Sequence, residues 1–184
     1  MIRIIGISGS LRKASLNSAL LRAAQTLMPD GASLDIATLH GIPLYDGDVE
    51  DAHGGPAAVT ALKNAIAAAD GLLLATPEYN NGIPGVFKNA IDWASRPPAD
   101  TARIFAGRPV AIIGASPGGF GTILAQDHWL PVLRTLGTRP WQEGRLMVAR
   151  AHTMFDAEAN LTDDNVRNRL TEFLDGFVKA IRTT

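Results

Sequence analysis

Apolar positions in this chain fall into short continuous runs separated by stripes with helical spacing. The first run, IRIIGI at 2–7, lacks a helical period and predicts a buried strand. Leu16, Ala19, Leu20, Ala23, Ala24 and Leu27 then recur at spacings of three and four, which predicts a helix that stops before Pro29. A second strand is predicted at 33–38. The stretch 39–57, with its glycines, acids and Pro43, reads as a long loop leading into a helix striped by Val59, Leu62, Ile66 and Ala69. Gly71 opens a continuous apolar strand, LLLAT, that ends at Pro77.

The second half repeats the alternation. Val86, Phe87, Ala90, Ile91 and Ala94 mark a third helix, and 108–116 a fourth strand. A glycine-rich turn follows, then a helix over about 121–136, a fifth strand at 145–149 and a strongly amphipathic C-terminal helix through Ile181. Strands apolar on both faces that alternate with helices imply a parallel sheet covered on two sides. Five strands and five helices fit an α/β, flavodoxin-like three-layer sandwich. The predicted sheet is five-stranded and parallel, of order 2-1-3-4-5, in a single domain spanning 1–184.

Three unusual loops each follow a strand, and such a sheet gathers them at its C-terminal end, where ligands bind. In the first, Ser8, Ser10, Ser15 and Ser18 offer hydroxyls, Asn17 an amide and Arg12 a fork suited to phosphate oxygens. The helix starting near Ser15 adds unpaired N–H groups and a positive dipole end. This is anion chemistry, although the same serines also suit helix capping. The triphosphate pattern G-x-x-x-x-G-K-[ST] and the dinucleotide pattern G-x-G-x-x-G are both missing. The second loop begins at Thr76 and carries Pro77, Glu78, Tyr79, Asn80, Asn81 and Gly82, residues suited to a sharply turned wall for a flat heterocycle. Glu78 is expected to take a backbone N–H or to orient a partner. The third, GASPGGFGT at 114–122, contains Ser116, Gly118 and Gly119; alone it signals only a tight turn, and opposite the second loop it suits the other wall of a slot.

Composition narrows the function classes. The 184 residues are 46% apolar and 19% charged, with formal net charge -1, so nothing electrostatic argues for nucleic acid or an anionic membrane as partner. There is no cysteine, which excludes disulfides, thiolate nucleophiles and iron–sulfur clusters. No signal peptide or membrane span is evident, and a cytoplasmic enzyme is the expectation. His40, His53, His128 and His152 lack metal-ligand spacing, so surface or packing roles and no metal are predicted.

GSLRKASLN at 9–17 followed by PEYNNGIPGVFKNAIDW at 77–93 resembles the NADPH-dependent FMN reductase family, in particular its chromate- and quinone-reductase branch. The resemblance implies non-covalent FMN, NADPH or NADH as co-substrate, and a homodimer or homotetramer. It further implies two-electron, ping-pong hydride transfer to a small acceptor such as a quinone, chromate or an azo compound. By that pattern Ser10, Arg12, Ser15, Asn17 and Ser18 surround the FMN phosphate. Pro77, Glu78, Tyr79, Asn80 and Gly82 contact the ring, with Ser116 and Gly119 nearby. Segment 42–45, IPLY, resembles one that borders a partner subunit. No side chain is assigned as a nucleophile or as a proton-transfer catalyst. The alternatives are a flavodoxin-type electron carrier and a flavin-dependent redox-sensing module.

Overall fold

β1 (Ile2–Ser8) enters the sheet where the first apolar run predicts it, and its side chains alternate between two cores. Ile4 faces one side of the sheet with Leu73, Ala75, Ala111 and Ile113, while Ile5 and Ile7 face the other with Leu72, Leu74 and Val110. The remaining long strands are β2 (Ala32–Ala37), β3 (Gly71–Ala75) and β4 (Pro109–Ala115), and β3 is buried along its whole length. The computed structural model describes residues 1–183. Every described strand pair is parallel, and the order is β2-β1-β3-β4 followed by β5 (Arg139–Pro140).

The fifth position is not one strand. β5 (Arg139–Pro140) and β6 (Leu146–Val148) both pair with β4. Along β4 the ladder advances from Val110 to Ile113, while its partner runs from Pro140 to Leu146. The surplus residues leave the ladder after Trp141, whose N–H still donates to Val110 O at 2.8 Å. There Trp141 turns its ring onto Phe173, with centroids 5.0 Å apart. The predicted strand at 145–149 is therefore the second half of an interrupted edge.

The helices α1 (Leu16–Thr26) and α7 (Asp164–Arg182) cover the Ile4 face. The opposite face is covered by α3 (Ala57–Ala67), α4 (Gly85–Ala94), α5 (Pro98–Phe105) and α6 (Ile123–Thr135). α7 forms because Asp163 accepts the Val166 N–H at 2.8 Å and because one stripe, including Leu170, Phe173, Leu174 and Phe177, is buried. Each such side chain contributes about 1.5–3 kcal/mol on full burial. Two helices, α2 (Gly47–His53) and α5, lie where the sequence predicts none. α2 buries no residue and rests on its Asp46 cap, so it has no apolar stripe to read. α5 buries only Ile104 and Phe105. Among the described residues no helix is long and apolar enough to cross a membrane.

Candidate functional site

The strands β1, β3 and β4 end side by side, and backbone bonds carry that alignment into the loops. Gly9 N donates to Ala75 O at 2.9 Å, and Thr76 N donates to Ile113 O at 2.9 Å. Close packing demands glycine at two of these crossings. A Cβ on Gly9 would lie 2.3 Å from Phe87 Cδ1 and 2.8 Å from Pro77 Cδ; one on Gly114 would lie 1.8 Å from Thr122 Oγ1.

In the first loop the predicted residues divide their work. Ser15 is the N-cap of α1 and accepts the Ser18 N–H at 3.2 Å, as capping predicts. Ser8 Oγ and Ser18 Oγ bond each other at 2.8 Å. Ser10 Oγ accepts the Arg12 N–H at 3.3 Å, a long contact. Arg12 is exposed, and among the described residues its side chain has no protein partner. Asn17, expected among the phosphate donors, commits one amide N–H and its oxygen to the chain itself. It is 4% exposed, its Nδ2 donates to Ala115 O at 2.9 Å, and its Oδ1 accepts Ala115 N–H at 2.9 Å. Its amide is a strut between the start of α1 and the end of β4.

The second loop is a tight hairpin. Tyr79 and Gly82 exchange backbone bonds at 3.1 and 3.0 Å around Asn80 and Asn81, whose φ angles are 49° and 62°. Two consecutive left-handed residues define a type I′ turn, which asparagine tolerates. Asn80 shapes the loop through its backbone. Tyr79 is 48% exposed at the lip of the turn. Pro77 is buried beneath it, and its carbonyl accepts the Thr76 hydroxyl at 2.8 Å. Thr76 Oγ1 in turn accepts Trp129 Nε1–H at 3.2 Å, and the Trp129 ring meets Phe87 edge-on at 4.8 Å.

Glu78 takes backbone N–H groups as expected, and it takes two. Its Oε2 accepts from Leu124 at 2.9 Å and Ala125 at 3.0 Å. These are first-turn donors of α6, whose own N-cap, Thr122, caps none of them with its side chain; its hydroxyl instead accepts from Gln126 Nε2 at 3.1 Å. A carboxylate at this end also meets the positive pole of the helix dipole. The second loop is thereby clamped to the third. In the third loop Ser116 Oγ donates to Gly121 O at 2.5 Å and closes the turn. A Cβ on Gly119 would meet nothing within 4 Å, so packing within the chain does not require glycine there.

The loops fit FMN on three observations. A capped helix start and an exposed arginine with no side-chain partner among the described residues suit its phosphate, the space at Gly119 is open, and Tyr79 is exposed. Sequence reasoning missed the residues that brace these loops from behind, among them Thr76, Thr122, Trp129 and His40. His40 and Trp129 lie outside the three loops, and Thr76 and Thr122, at loop ends, give no local sign of the partners they take. A cleft of about 360 Å³ along the α6 and β4–β6 edge contains none of the predicted site residues.

Comparison with known proteins agrees with this geometry. The family model described as NADPH-dependent FMN reductase matches residues 2–153. An NAD(P)H-dependent FMN reductase of Pseudomonas aeruginosa is 47% identical over 98% of this chain and 96% of its own length. A 2-hydroxy-1,4-benzoquinone reductase of a Burkholderia species is 38% identical over 98% of this chain and 97% of its own. Among solved structures, FerB, a flavoenzyme NAD(P)H:(acceptor) oxidoreductase from Paracoccus denitrificans, superposes with a TM-score of 0.88. It is 33% identical, and the match covers 100% of this chain and 98% of that one. The chain therefore belongs to the NADPH-dependent FMN reductase family, oxidoreductases that work with FMN and NAD(P)H.

Proposed function

We propose that this protein is an NAD(P)H-dependent FMN reductase that passes electrons, two at a time, to quinones or related small acceptors. The observation that carries the reading is the clamped meeting of three loops at the ends of β1, β3 and β4, through Asn17 with Ala115 and Glu78 with α6. Relatives named for quinone reduction, at 38% and 35% identity, support the acceptor class.

FMN, when bound, would supply the redox chemistry, two-electron hydride chemistry that suits a ping-pong cycle between nicotinamide and acceptor. In this reading the chain's residues bind and orient. Arg12, the Ser10 and Ser15 hydroxyls and the first N–H groups of α1 hold the phosphate, and the Ser8–Ser18 pair backs them. The 79–82 turn and Gly119 border the ring, and Tyr79 shields its edge from water. Asn17 acts as a strut and Glu78 as a clamp. Preorganised loops of this kind fix approach distance without a reorganisation cost during the reaction.

A second copy of the chain belongs to the same reading, as a homodimer or homotetramer. Segment 42–45 is sewn onto α4, since Asn89 Nδ2 and Trp93 Nε1 both donate to Pro43 O, at 2.8 and 2.9 Å. It presents Leu44, 82% exposed, next to the exposed Tyr45. Light scattering after size exclusion tests the assembly. A cytoplasmic setting completes the proposal.

The deciding experiment is the absorbance spectrum of the purified protein, followed by anaerobic titration with NADPH and then with a benzoquinone. Bleaching by one equivalent of NADPH per flavin and recovery of colour with quinone are expected. A protein that takes up no flavin overturns the reading. So does a flavin that NADPH leaves oxidised.

A further inference from the structure

Residues 11–14, just before α1, are all exposed, Leu11 by 41%, so burial does little to hold them. Within the loop, Arg12 N reaches Ser10 Oγ at 3.3 Å and Ser15 N reaches Arg12 O at 3.2 Å. Among the described residues, one hydrogen bond reaches residues 10–14 from another element of the chain. His40 Nε2 meets Leu11 O at 3.1 Å. The other ring nitrogen, Nδ1, meets Thr38 Oγ1 at 2.6 Å, and that oxygen also accepts the His40 N–H at 3.2 Å.

These contacts settle the tautomer. A carbonyl oxygen only accepts, so Nε2 carries the proton it donates to Leu11. In the neutral ring Nδ1 is then the acceptor, and the Thr38 hydroxyl donates to it. Both ring nitrogens are used, and Thr38 fixes the ring plane.

The bonded oxygen belongs to the same peptide unit as the Arg12 N–H. In a trans, planar peptide these two groups point in opposite directions. Drawing Leu11 O towards His40 therefore turns the Arg12 N–H to the other side, where Ser10 Oγ stands. We propose that His40, supported by Thr38, is a positioning residue for the cofactor phosphate: it holds the Leu11–Arg12 peptide so that its N–H, not its oxygen, faces the anion. Released from His40, that peptide rotates, and a carbonyl oxygen facing phosphate repels it. The inference rests on the proposed seating of the FMN phosphate in this loop.

The test compares His40→Ala, His40→Gln and Thr38→Val with the unaltered protein. FMN dissociation is followed by recovery of free-flavin fluorescence. Loss of one well-aimed donor is expected to speed dissociation by about 5–20-fold in His40→Ala. Gln carries an N–H donor at comparable reach and is expected to restore the rate to within about twofold. Thr38→Val is expected to fall between them.

A second readout needs no flavin. Trypsin cuts after Arg12 and Lys13, and in the flavin-free protein His40→Ala is expected to raise the rate at those two bonds without changing the rates elsewhere. Unchanged dissociation in His40→Ala overturns the proposal and leaves the reductase reading intact. Equal acceleration in Ala and Gln variants overturns the donor role. If the unaltered protein fails to take up FMN, the reductase reading falls. In that case unchanged cleavage after Arg12 in His40→Ala would remove the clasp as well.

Discussion

Asn17 and Ala115 exchange two hydrogen bonds of 2.9 Å each across 98 residues of sequence, joining the first turn of α1 to the last residue of β4. Both ends of the amide are satisfied and buried. Asn17→Ala leaves a buried N–H and a buried C=O without partners, at an expected cost of about 2–4 kcal/mol. Urea unfolding of the flavin-free protein measures it. The loss is expected without cofactor, which separates a strut from a phosphate ligand; a loss seen only with FMN present would reverse that assignment.

Arg12 should behave in the opposite way. It is exposed and its side chain is unpaired among the described residues, so Arg12→Ala is expected to shift unfolding of the flavin-free protein by no more than about 0.5 kcal/mol. A charge-assisted bond to phosphate is worth about 1.5–3 kcal/mol, so FMN affinity is expected to fall by about 10–100-fold. Fluorescence titration gives the affinity, and single-turnover reduction of the residual loaded protein is expected to keep its rate. Normal affinity with slow reduction would contradict this placement.

Glu78 caps a helix that belongs to another loop. Removing its carboxylate exposes the Leu124 and Ala125 donors and loses the favourable charge at the helix start. Glu78→Ala is expected to destabilise the protein by about 1–2 kcal/mol, and Glu78→Gln by less. Thermal unfolding gives the order. Equal melting of all three proteins would show that the clamp contributes nothing.

The acid limb of the stability profile should carry a mark of Glu50. Its Oε2 accepts from Arg96 Nε at 2.9 Å and from the Tyr45 hydroxyl at 2.8 Å. The Arg96 hydrogen bond, outweighing burial, holds the Glu50 carboxyl below its ordinary value. The folded state then binds the proton less readily than the unfolded chain. Its contribution is complete above the ordinary glutamate value of about 4.3 and is lost as pH falls through the lower folded value. Urea midpoints from pH 7 to 3 are expected to drop more steeply in the unaltered protein than in Glu50→Gln below about pH 4.3. Parallel curves in that range would sink the assignment.

How far the chain can be read without its coordinates depends on the range of the signal. The runs at 2–7 and 71–75 become β1 and β3 because strands buried on both faces need apolar residues throughout. The stripe ending at Ile181 becomes α7 because one face must be apolar. α2 has no buried face, so periodicity carries no trace of it, and the interrupted edge depends on where Trp141 finds Phe173. The site divides in the same way. Ser15 as cap and Glu78 as acceptor are legible from residue type and position. The commitment of Asn17 to Ala115 and of His40 to Leu11 is not.

By itself, then, the sequence determined the layers, the alternation of strands and helices, and the two loops that carry the family's motifs. Each of these follows from spacing within a few residues or from a motif contained in one segment. Only the tertiary structure decided which polar groups stay free for a ligand and which are spent holding the loops together. A side chain's hydrogen-bonding capacity is a property of its type, but its partner is whatever the fold brings within about 3 Å, often from a distant part of the chain.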